Sequence, residues 1–273
     1  MTETVSVTTD TLAVPGATLH YELRGSGPLV VLVAAPMDAR SFEPLADLLA
    51  ADHTVLTTDP RGIFRSRVAD PDADATVELR ADDLARLIAH VDRGPAAVLG
   101  SSGGAVTVLA LAQFHPKAAH TVIAHEPPLD ELVEDREELR ARTHEMIATY
   151  RSGDTRGAFR QFLEIANIQL PAEVFEMMAG GERDAQSVAD ERFQYEHMLL
   201  PTVSFVPDTA ALRDGPVRVV VGIGEQSAGQ LCDRTSRALA AELGVAPTMF
   251  PGDHVGFAHD PAAFAARLRE VLG

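Results

Sequence analysis

Strand-like apolar runs alternate with helix-like segments along most of this chain, and this alternation constrains its fold more than any other feature. The continuous runs PLVVLVAAP and PVRVVVGIG are typical of strands buried on both faces. TLHYELRG, HTVLTTD, AAVLG, HTVIAHE and APTMF predict further strands, and SFEPLADLLAAD, GAVTVLALAQFHP and PAAFAARLREVLG predict helices. A predicted helix, TVELRADDLARLIAHVD, carries Leu79, Leu84, Leu87 and Ile88 on one face. The pattern predicts an α/β fold whose mainly parallel sheet is covered by helices on both faces.

The alternation stops after Pro128 and resumes near residue 215. Between these points apolar residues recur at helical spacing, for example at Leu139, Met146 and Ile147, and no strand pattern interrupts them. We therefore expect a core formed by residues 1–128 and 215–273. Residues 129–214, called the helical insertion below, are expected to be entirely helical.

Composition excludes several classes of partner. The chain has 273 residues, 46% of them hydrophobic, and a formal net charge of −17, which argues against nucleic acid and anionic membrane surfaces. No apolar run reaches membrane-spanning length, and the N-terminal MTETVSVTTD lacks the features of a signal peptide. The single cysteine, Cys232, permits no internal disulfide and no cysteine-based metal site. We expect a cytoplasmic globular protein.

The stretch VLGSSGGAV contains two adjacent serines, and its glycines distinguish them. A G-x-S-x-G nucleophile elbow needs glycine two positions before and two after the serine. Gly100 and Gly104 satisfy this for Ser102, whereas centring the motif on Ser101 places Leu99 at the first position. Ser102 is therefore the candidate nucleophile, at a strand-to-helix turn.

With this elbow, the chain resembles the α/β-hydrolase family over nearly its whole length. The resemblance is carried by GSSGG, by TTDPRGIFRS and by PGDHVGF before the last helix. It implies a mostly parallel eight-stranded sheet flanked by helices, with the helical insertion as a cap. The family's D-x-R-G-x-G-x-S stretch corresponds to Asp59–Ser66, with Phe64 where glycine is common, and VAAPM replaces the usual His-Gly. We expect Asp59 and Arg61 to form an ion pair that braces the end of the preceding strand. More narrowly, APMDARSF and HEPP resemble uncharacterised hydrolases of high-GC bacteria.

The resemblance also points to the partners of the nucleophile. His254, in the loop between the last strand and the last helix, is the expected base. The acid has two candidates. Glu225 follows the strand PVRVVVGIG, although a shift of one glycine would align Ser227 there instead. We favour Glu126, which ends an apolar strand and precedes two prolines, because a buried carboxylate there would need a partner such as His254.

An oxyanion hole requires two backbone N–H groups near the nucleophile. Gly103, directly after Ser102, is expected to supply one, and Ala35 the other, with Met37 next, since Pro36 has no N–H. We expect substrate contacts from four side chains: Met37, Ser101, Met146 and Met198.

These residues predict a serine hydrolase that cleaves a small to medium apolar ester, thioester or lactone through an acyl-enzyme. The serine at the elbow argues against epoxide-hydrolase and dehalogenase chemistry, which use aspartate there. No metal or organic cofactor is expected, and a homo-oligomer is compatible with the sequence. Two alternatives remain open: a cofactor-free cyclase, C–C hydrolase or perhydrolase, and a ligand receptor that retains the pocket.

Overall fold

The computed structural model describes residues 5–181 and 183–273 of the chain. Residues 1–4, which begin both the predicted core and the stretch tested for a signal peptide, lie outside the described residues. So does residue 182 of the helical insertion. None of the helices in the described parts is long and apolar enough to cross a membrane.

Nine strands form a single sheet within the described residues. They are β1 (Val7–Val14), β2 (Ala17–Gly25), β3 (Leu29–Ala35), β4 (Thr54–Thr58), β5 (Arg67–Val68), β6 (Ala96–Ser102), β7 (Ala119–His125), β8 (Arg218–Gly224) and β9 (Thr248–Phe250). Their order is β1-β2-β4-β3-β6-β7-β8-β9, and the two-residue β5 pairs with β2 outside this path. The principal sheet thus has the eight strands expected of an α/β hydrolase.

The strands from β4 to β9 along this order are parallel, whereas β2 is antiparallel to β1, β4 and β5. Ala35 of β3 is opposite Ser102 of β6, and Ser101 is opposite His125 of β7. The carboxyl ends of these three central strands therefore meet at one edge of the sheet, where α/β folds place their ligand sites.

Helices cover both faces of the sheet. The helices of the core are α1 (Glu43–Leu49), α2 (Val77–Val91), α3 (Gly103–Phe114), α10 (Leu231–Leu243), α11 (Gly256–His259) and α12 (Pro261–Leu272). Side chains of α2, α3 and α10 belong to one buried apolar cluster, and those of α1, α11 and α12 to a second cluster on the opposite face. Helix α3 is buried on nearly all sides, because it packs against both the sheet and α2.

The helical insertion contains only helices among its described residues. They are α4 (Arg136–Arg151), α5 (Thr155–Ala166), α6 (Ala172–Gly180), α7 (Ala185–Phe193), α8 (Leu199–Val203) and α9 (Thr209–Asp214). A short 3₁₀ helix, Asp130–Leu132, precedes them, and a π-helix, Gln194–Met198, joins α7 to α8. The sheet resumes with β8 directly after α9.

Two local expectations differ from the structure. Strand β1 was not predicted, because most of its side chains are exposed and it lacks a buried apolar face. On α2, Leu79 is 39% exposed, although we expected it on the buried face with Leu84. Arg80 and Asp83 are buried on this helix instead, since each has a polar partner described below.

Candidate active site

Ser102 lies at a sharp turn between β6 and α3. Its backbone has φ 55° and ψ −125°, a conformation that is costly for a residue with a Cβ. The glycines around it permit this turn: a Cβ on Gly100 would lie 2.3 Å from the Gly104 carbonyl oxygen, and one on Gly104 would lie 2.4 Å from the Val33 carbonyl oxygen. The register of the elbow motif therefore has a steric cause, and the structure places Ser102 at the tip.

Ser101 faces away from this turn. Side chains alternate along β6, so Ser101 shares the face of Leu99 and is fully buried. Its hydroxyl lies 3.4 Å from Nδ1 of His125, whose ring packs edge-on against Phe250. Burial lowers the pKa of His125 to about 4, so that ring is neutral at pH 7. The expectation that Ser101 contacts substrate is wrong, because its side chain points into the core.

His254 and Glu126 meet across the carboxyl edge of the sheet. His254 lies in the loop between β9 and α11, and Glu126 directly follows β7. Nδ1 of His254 is 2.5 Å from Oε2 of Glu126, while Oε1 of Glu126 accepts the backbone N–H of Gly224 at 2.8 Å. The histidine side chain is 21% exposed and the glutamate is fully buried. This pair holds the imidazole in one orientation.

The environment of Glu126 keeps its side chain charged. Burial raises the pKa of this carboxyl, but the hydrogen bond with His254, the charges of His125 and His254 and the nearby Ser227 hydroxyl outweigh that effect and lower its pKa to about 2. Its backbone has φ 55°, in the left-handed region that a residue with a Cβ seldom adopts. Such strain is typical of functional positions.

The alternative acid, Glu225, does not reach His254. Its side chain is exposed, and its backbone N–H is bonded to the carbonyl of Phe250 in β9. Gly224, one residue earlier, approaches the loop of His254 so closely that a Cβ would lie 2.8 Å from the Asp253 backbone. The end of β8 therefore supports the Glu126–His254 pair with its backbone, and Glu225 points outward.

Ser102 and His254 line one cavity of about 140 Å³ between the sheet edge and the helical insertion. Most of its lining side chains are apolar, including the predicted Met146 of α4 and Met198 of the π-helix. Met37 is not among the lining residues; it packs against the apolar cluster of α1 and α12 instead, which corrects our expectation of a substrate contact. Cys232 of α10 also lies at the cavity wall.

Both residues expected to form the oxyanion hole lie beside Ser102. Ala35 and Gly103 line the cavity, and a Cβ on Gly103 would lie 2.7 Å from the Ala35 carbonyl oxygen. The loop after β3 is held by Asp59, whose buried carboxylate accepts the Ala39 N–H at 2.9 Å. The backbone at Ala35 and the backbone at Gly103, the two candidates for the oxyanion hole, thus lie close together beside Ser102.

The ion pair that we expected between Asp59 and Arg61 is absent. Asp59 binds Arg65 at 2.8 Å, and Arg61 binds Asp83 of α2 at 2.6 Å. The two arginine side chains extend in different directions. The prediction was wrong because it paired Asp59 with the arginine that is nearer in the chain. Arg65 also binds Glu22 of β2 at 2.7 Å, so these ion pairs fix the loop after β4 against β2 and α2.

Arg80 is a buried residue at this site that the sequence did not reveal. Its guanidinium donates to Thr202 of α8 at 2.7 Å and, more weakly, to the Gly103 carbonyl at 3.4 Å. Burial lowers its pKa to about 10, so it remains charged at pH 7. It links the elbow to the helical insertion. Arg80 is one of several charged residues in the sequence of α2, and nothing in that sequence singles it out for this role.

The fold and this arrangement at the sheet edge define the class of the α/β hydrolases. A sequence model of the alpha/beta hydrolase family matches residues 17–267, so the chain belongs to that family. It is 33% identical to an uncharacterized hydrolase, YraK, of Bacillus subtilis (strain 168), over 98% of this chain and 97% of the relative. It is 26% identical to zearalenone hydrolase of Bionectria ochroleuca, over 97% of each chain.

Solved structures agree on the fold. The enol-lactonase from Burkholderia xenovorans LB400 superposes with a TM-score of 0.69 at 20% identity, covering 96% of this chain and 99% of that one. A thermophilic esterase from Thermogutta terrifontis superposes with a TM-score of 0.68 at 21% identity, covering 98% of each chain. These likenesses extend over the sheet and the helical insertion alike.

Proposed function

We propose that this protein is a serine hydrolase that cleaves a small to medium apolar ester, thioester or lactone through an acyl-enzyme. One observation carries the proposal. Ser102, in the strained conformation of a nucleophile elbow, shares a cavity with His254, whose Nδ1 is bonded to the buried Glu126. A serine hydroxyl is a weak nucleophile, and an adjacent base oriented by a carboxylate is what activates it.

In the proposed reaction, Ser102 Oγ attacks the substrate carbonyl while Nε2 of His254 takes the hydroxyl proton. The N–H groups of Gly103 and Ala35 stabilise the oxyanion of the tetrahedral intermediate. The intermediate collapses when its bond to the leaving oxygen or sulfur breaks and His254 gives that proton to the departing alkoxide or thiolate. The product is a free alcohol or thiol, or, from a lactone, a hydroxyl that remains attached to the acyl group. Water, deprotonated by His254, then attacks the acyl-enzyme, and release of the acid restores Ser102.

Glu126 stays ionised throughout this cycle. Because the pKa of its carboxyl is lowered to about 2, it does not take the proton from the imidazolium at neutral pH. Its charge instead stabilises the imidazolium that forms in each half-reaction, and its bond to Nδ1 leaves Nε2 free to accept a proton. Glu126 is therefore proposed as the acid of the triad.

The apolar cavity and the names of two structural neighbours support the proposed substrate class. Its walls are mainly apolar, and its volume of about 140 Å³ suits a compact ligand. One structural neighbour is an enol-lactonase and another an esterase, both names that denote carbonyl substrates. We propose that the helical insertion acts as a cap, with Met146 and Met198 contacting the apolar part of the substrate.

Covalent labelling with a fluorophosphonate tests the nucleophile directly. We expect one adduct, mapped by peptide mass spectrometry to Ser102, and none in Ser102→Ala. Ser101→Ala is the matched control and should label as wild type does, because its hydroxyl faces His125. An adduct on Ser101, or no adduct at all, would exclude the proposed nucleophile. Labelling without turnover of any aryl ester would favour a receptor or a non-hydrolytic enzyme instead.

A further inference from the structure

A second cavity lies in the helical insertion, next to the active-site cavity that contains Ser102. It has a volume of about 210 Å³ and is lined chiefly by residues of α5, α6, α7 and the π-helix. Phe162 of α5 and Gln194 of the π-helix line both cavities, so the two cavities adjoin at these side chains. We call the second one the outer cavity. The proposed mechanism does not use it.

One face of α5 extends from the outer cavity to the active-site cavity. Thr155 and Phe159 line the outer cavity, Phe162 lines both, and Ala166 lines the active-site cavity. Their spacings of four, three and four residues place them on the same face of a helix. At 1.5 Å per residue this face is about 16 Å long, with about 10 Å of it on the outer side of Phe162. The two cavities therefore share one continuous helical wall.

The π-helix provides a second wall that is common to both cavities. Gln194 lines both, Met198 lines the active-site cavity, and Tyr195 lines the outer cavity. π-helical turns are rare and are frequent at functional sites. Phe162 and Gln194, where the cavities adjoin, are only half-buried, so rotation of their side chains can widen the junction.

The outer cavity offers apolar surface close to this junction. Phe159 and Phe162 contribute aromatic side chains from α5, and Met178 contributes a thioether from α6. An alkyl chain that leaves water for such surfaces gains affinity with every methylene that is buried.

The charged side chains around the outer cavity are already paired. Arg183 binds Glu191 at 2.5 Å, and Arg156 binds Glu176. An ionised ligand group would have to displace one of these partners, whereas an uncharged chain leaves both pairs intact. The cavity therefore favours an uncharged occupant.

We propose that the outer cavity binds the far end of an uncharged, apolar acyl chain whose carbonyl carbon lies at Ser102. The chain passes the junction at Phe162 and Gln194 and lies along the shared face of α5. The proposal rests on the proposed function, since Ser102 fixes the carbonyl end of the substrate. It narrows the substrate class to esters, thioesters or lactones whose acyl part is long enough to extend beyond the active-site cavity.

Straight-chain methyl ketones are suitable probes, because they carry a carbonyl and an alkyl chain but cannot be hydrolysed. We would measure the dissociation constants of 2-pentanone and 2-decanone by calorimetry in the full-length Ser102→Ala protein, which cannot add to the ketone. If the serine mechanism fails, phosphonate labelling of wild type fails, but the ratio of these two constants remains measurable. The failure of one proposal is therefore distinguishable from the failure of the other.

The expected result is a preference for the longer ketone that depends on the outer cavity. Each buried methylene contributes up to about fourfold in affinity, so 2-decanone should bind about tenfold or more tightly than 2-pentanone. Phe159→Ala changes a wall of the outer cavity only. It should reduce this preference about fivefold and leave the binding of 2-pentanone within twofold. Phe162→Trp, which places a larger ring at the junction, should also reduce the preference.

Met177→Ala is the matched control, introduced like the other variants into the Ser102→Ala protein. Met177 lies on α6 beside Met178, but it is 71% exposed and lines neither cavity. This variant should keep the ratio of the two dissociation constants within twofold.

A role of the outer cavity as an entrance alone predicts a different result. A dissociation constant does not depend on the route by which a ligand enters, so the ratio would be the same in every variant. With Ser102 present, Phe162→Trp would then lower kcat/KM for 4-nitrophenyl butyrate and decanoate by the same factor. A bound chain end predicts a larger loss for the decanoate.

Three results would overturn the proposal. The first is an unchanged ratio in both Phe159→Ala and Phe162→Trp, and the second is equal affinity of the parent protein for the two ketones. The third is loss of the preference in Met177→Ala. If circular dichroism shows that Phe159→Ala is unfolded, Met178→Ala replaces it, with a reduction of about twofold expected because Met178 is 57% exposed.

Discussion

Replacing Glu126 with glutamine tests how the imidazole of His254 is held. The carboxylate accepts two hydrogen bonds, from the His254 ring at 2.5 Å and from the Gly224 N–H at 2.8 Å. An amide has one acceptor oxygen. If this oxygen keeps the Gly224 bond, the amide N–H₂ faces Nδ1, which must then be unprotonated. The ring proton moves to Nε2, and that nitrogen can no longer accept the proton of Ser102.

The opposite orientation of the amide has a different cost. Its oxygen would then face Nδ1–H correctly, but its N–H₂ group would point at the Gly224 N–H in a fully buried site. Such a donor–donor contact leaves both groups unsatisfied, at about 1–3 kcal/mol each. In either orientation the negative charge that stabilises the imidazolium is gone. We expect kcat to fall by up to about 10⁴, equivalent to roughly 5 kcal/mol of transition-state stabilisation.

The assay is steady-state hydrolysis of a 4-nitrophenyl ester, together with the rate of fluorophosphonate labelling. Glu126→Gln should lower both rates, with KM little changed, because the loss occurs in the transition state. Glu225→Gln is the matched control and should stay within tenfold of wild type, since its side chain is exposed. Circular dichroism must show that both variants are folded. A folded Glu126→Gln with activity within tenfold of wild type would refute the role assigned to this carboxylate.

Two further predictions concern the elbow and the helical insertion. Gly104→Ala should lower Tm markedly and abolish phosphonate labelling, because its Cβ would lie 2.4 Å from a β3 carbonyl oxygen. Gly180→Ala is the control: a Cβ there meets open space, so this variant should keep the wild-type Tm and labelling. Met146→Ala and Met198→Ala should change the order of kcat/KM across a series of acyl chain lengths, because both side chains line the cavity. Met177→Ala, which is 71% exposed, should keep the wild-type order. Identical orders in all three methionine variants would leave the insertion without a role in specificity.

The features that sequence predicted well depend on short-range sterics and on burial. The elbow could be located because Gly100 and Gly104 are needed within two residues of Ser102, where any Cβ would collide with backbone. The central strands could be located because β3, β6 and β7 are largely buried and each contains a run of consecutive apolar residues. Family resemblance then placed His254 in the loop after the last strand.

The features that sequence missed depend on which side chains meet after the loops and helices have packed. Asp59 pairs with Arg65, and Arg61 with Asp83, because the loop after β4 turns the two arginines apart. Arg80 is buried although the hydrophobic pattern of α2 does not predict it, because Thr202 of α8 accepts its hydrogen bond. No local pattern encodes a partner more than a hundred residues away.

Glu126 and Asp130 show how far such partners control chemistry. Both are buried carboxyl groups within five residues of one another. In the sequence they differ only in their position relative to two prolines, which Glu126 precedes and Asp130 follows. The pKa of Glu126 is lowered to about 2, chiefly because His254 binds it, whereas burial raises the pKa of Asp130 to about 7 and no described residue binds its carboxylate to offset this. One carboxyl is held ionised beside His254, and the other takes up a proton near pH 7.

This contrast predicts how stability depends on pH. Asp130 binds its proton more tightly in the folded protein than at its ordinary pKa of 3.8, so its contribution is complete below about pH 4 and is lost as pH rises through 7. Between pH 5 and 7 the loss is of the order of 2–3 kcal/mol, at 1.36 kcal/mol per pH unit. The lowered pKa of Glu126 has the opposite effect on the free energy of unfolding. Its stabilising contribution is present above about pH 4.5 and is lost as the pH falls below that value. Urea unfolding at pH 5, 6, 7 and 8 should therefore show wild type losing stability relative to Asp130→Asn as pH rises. Parallel curves for the two proteins would mean that Asp130 has a partner in solution that keeps the pKa of its carboxyl near the ordinary value.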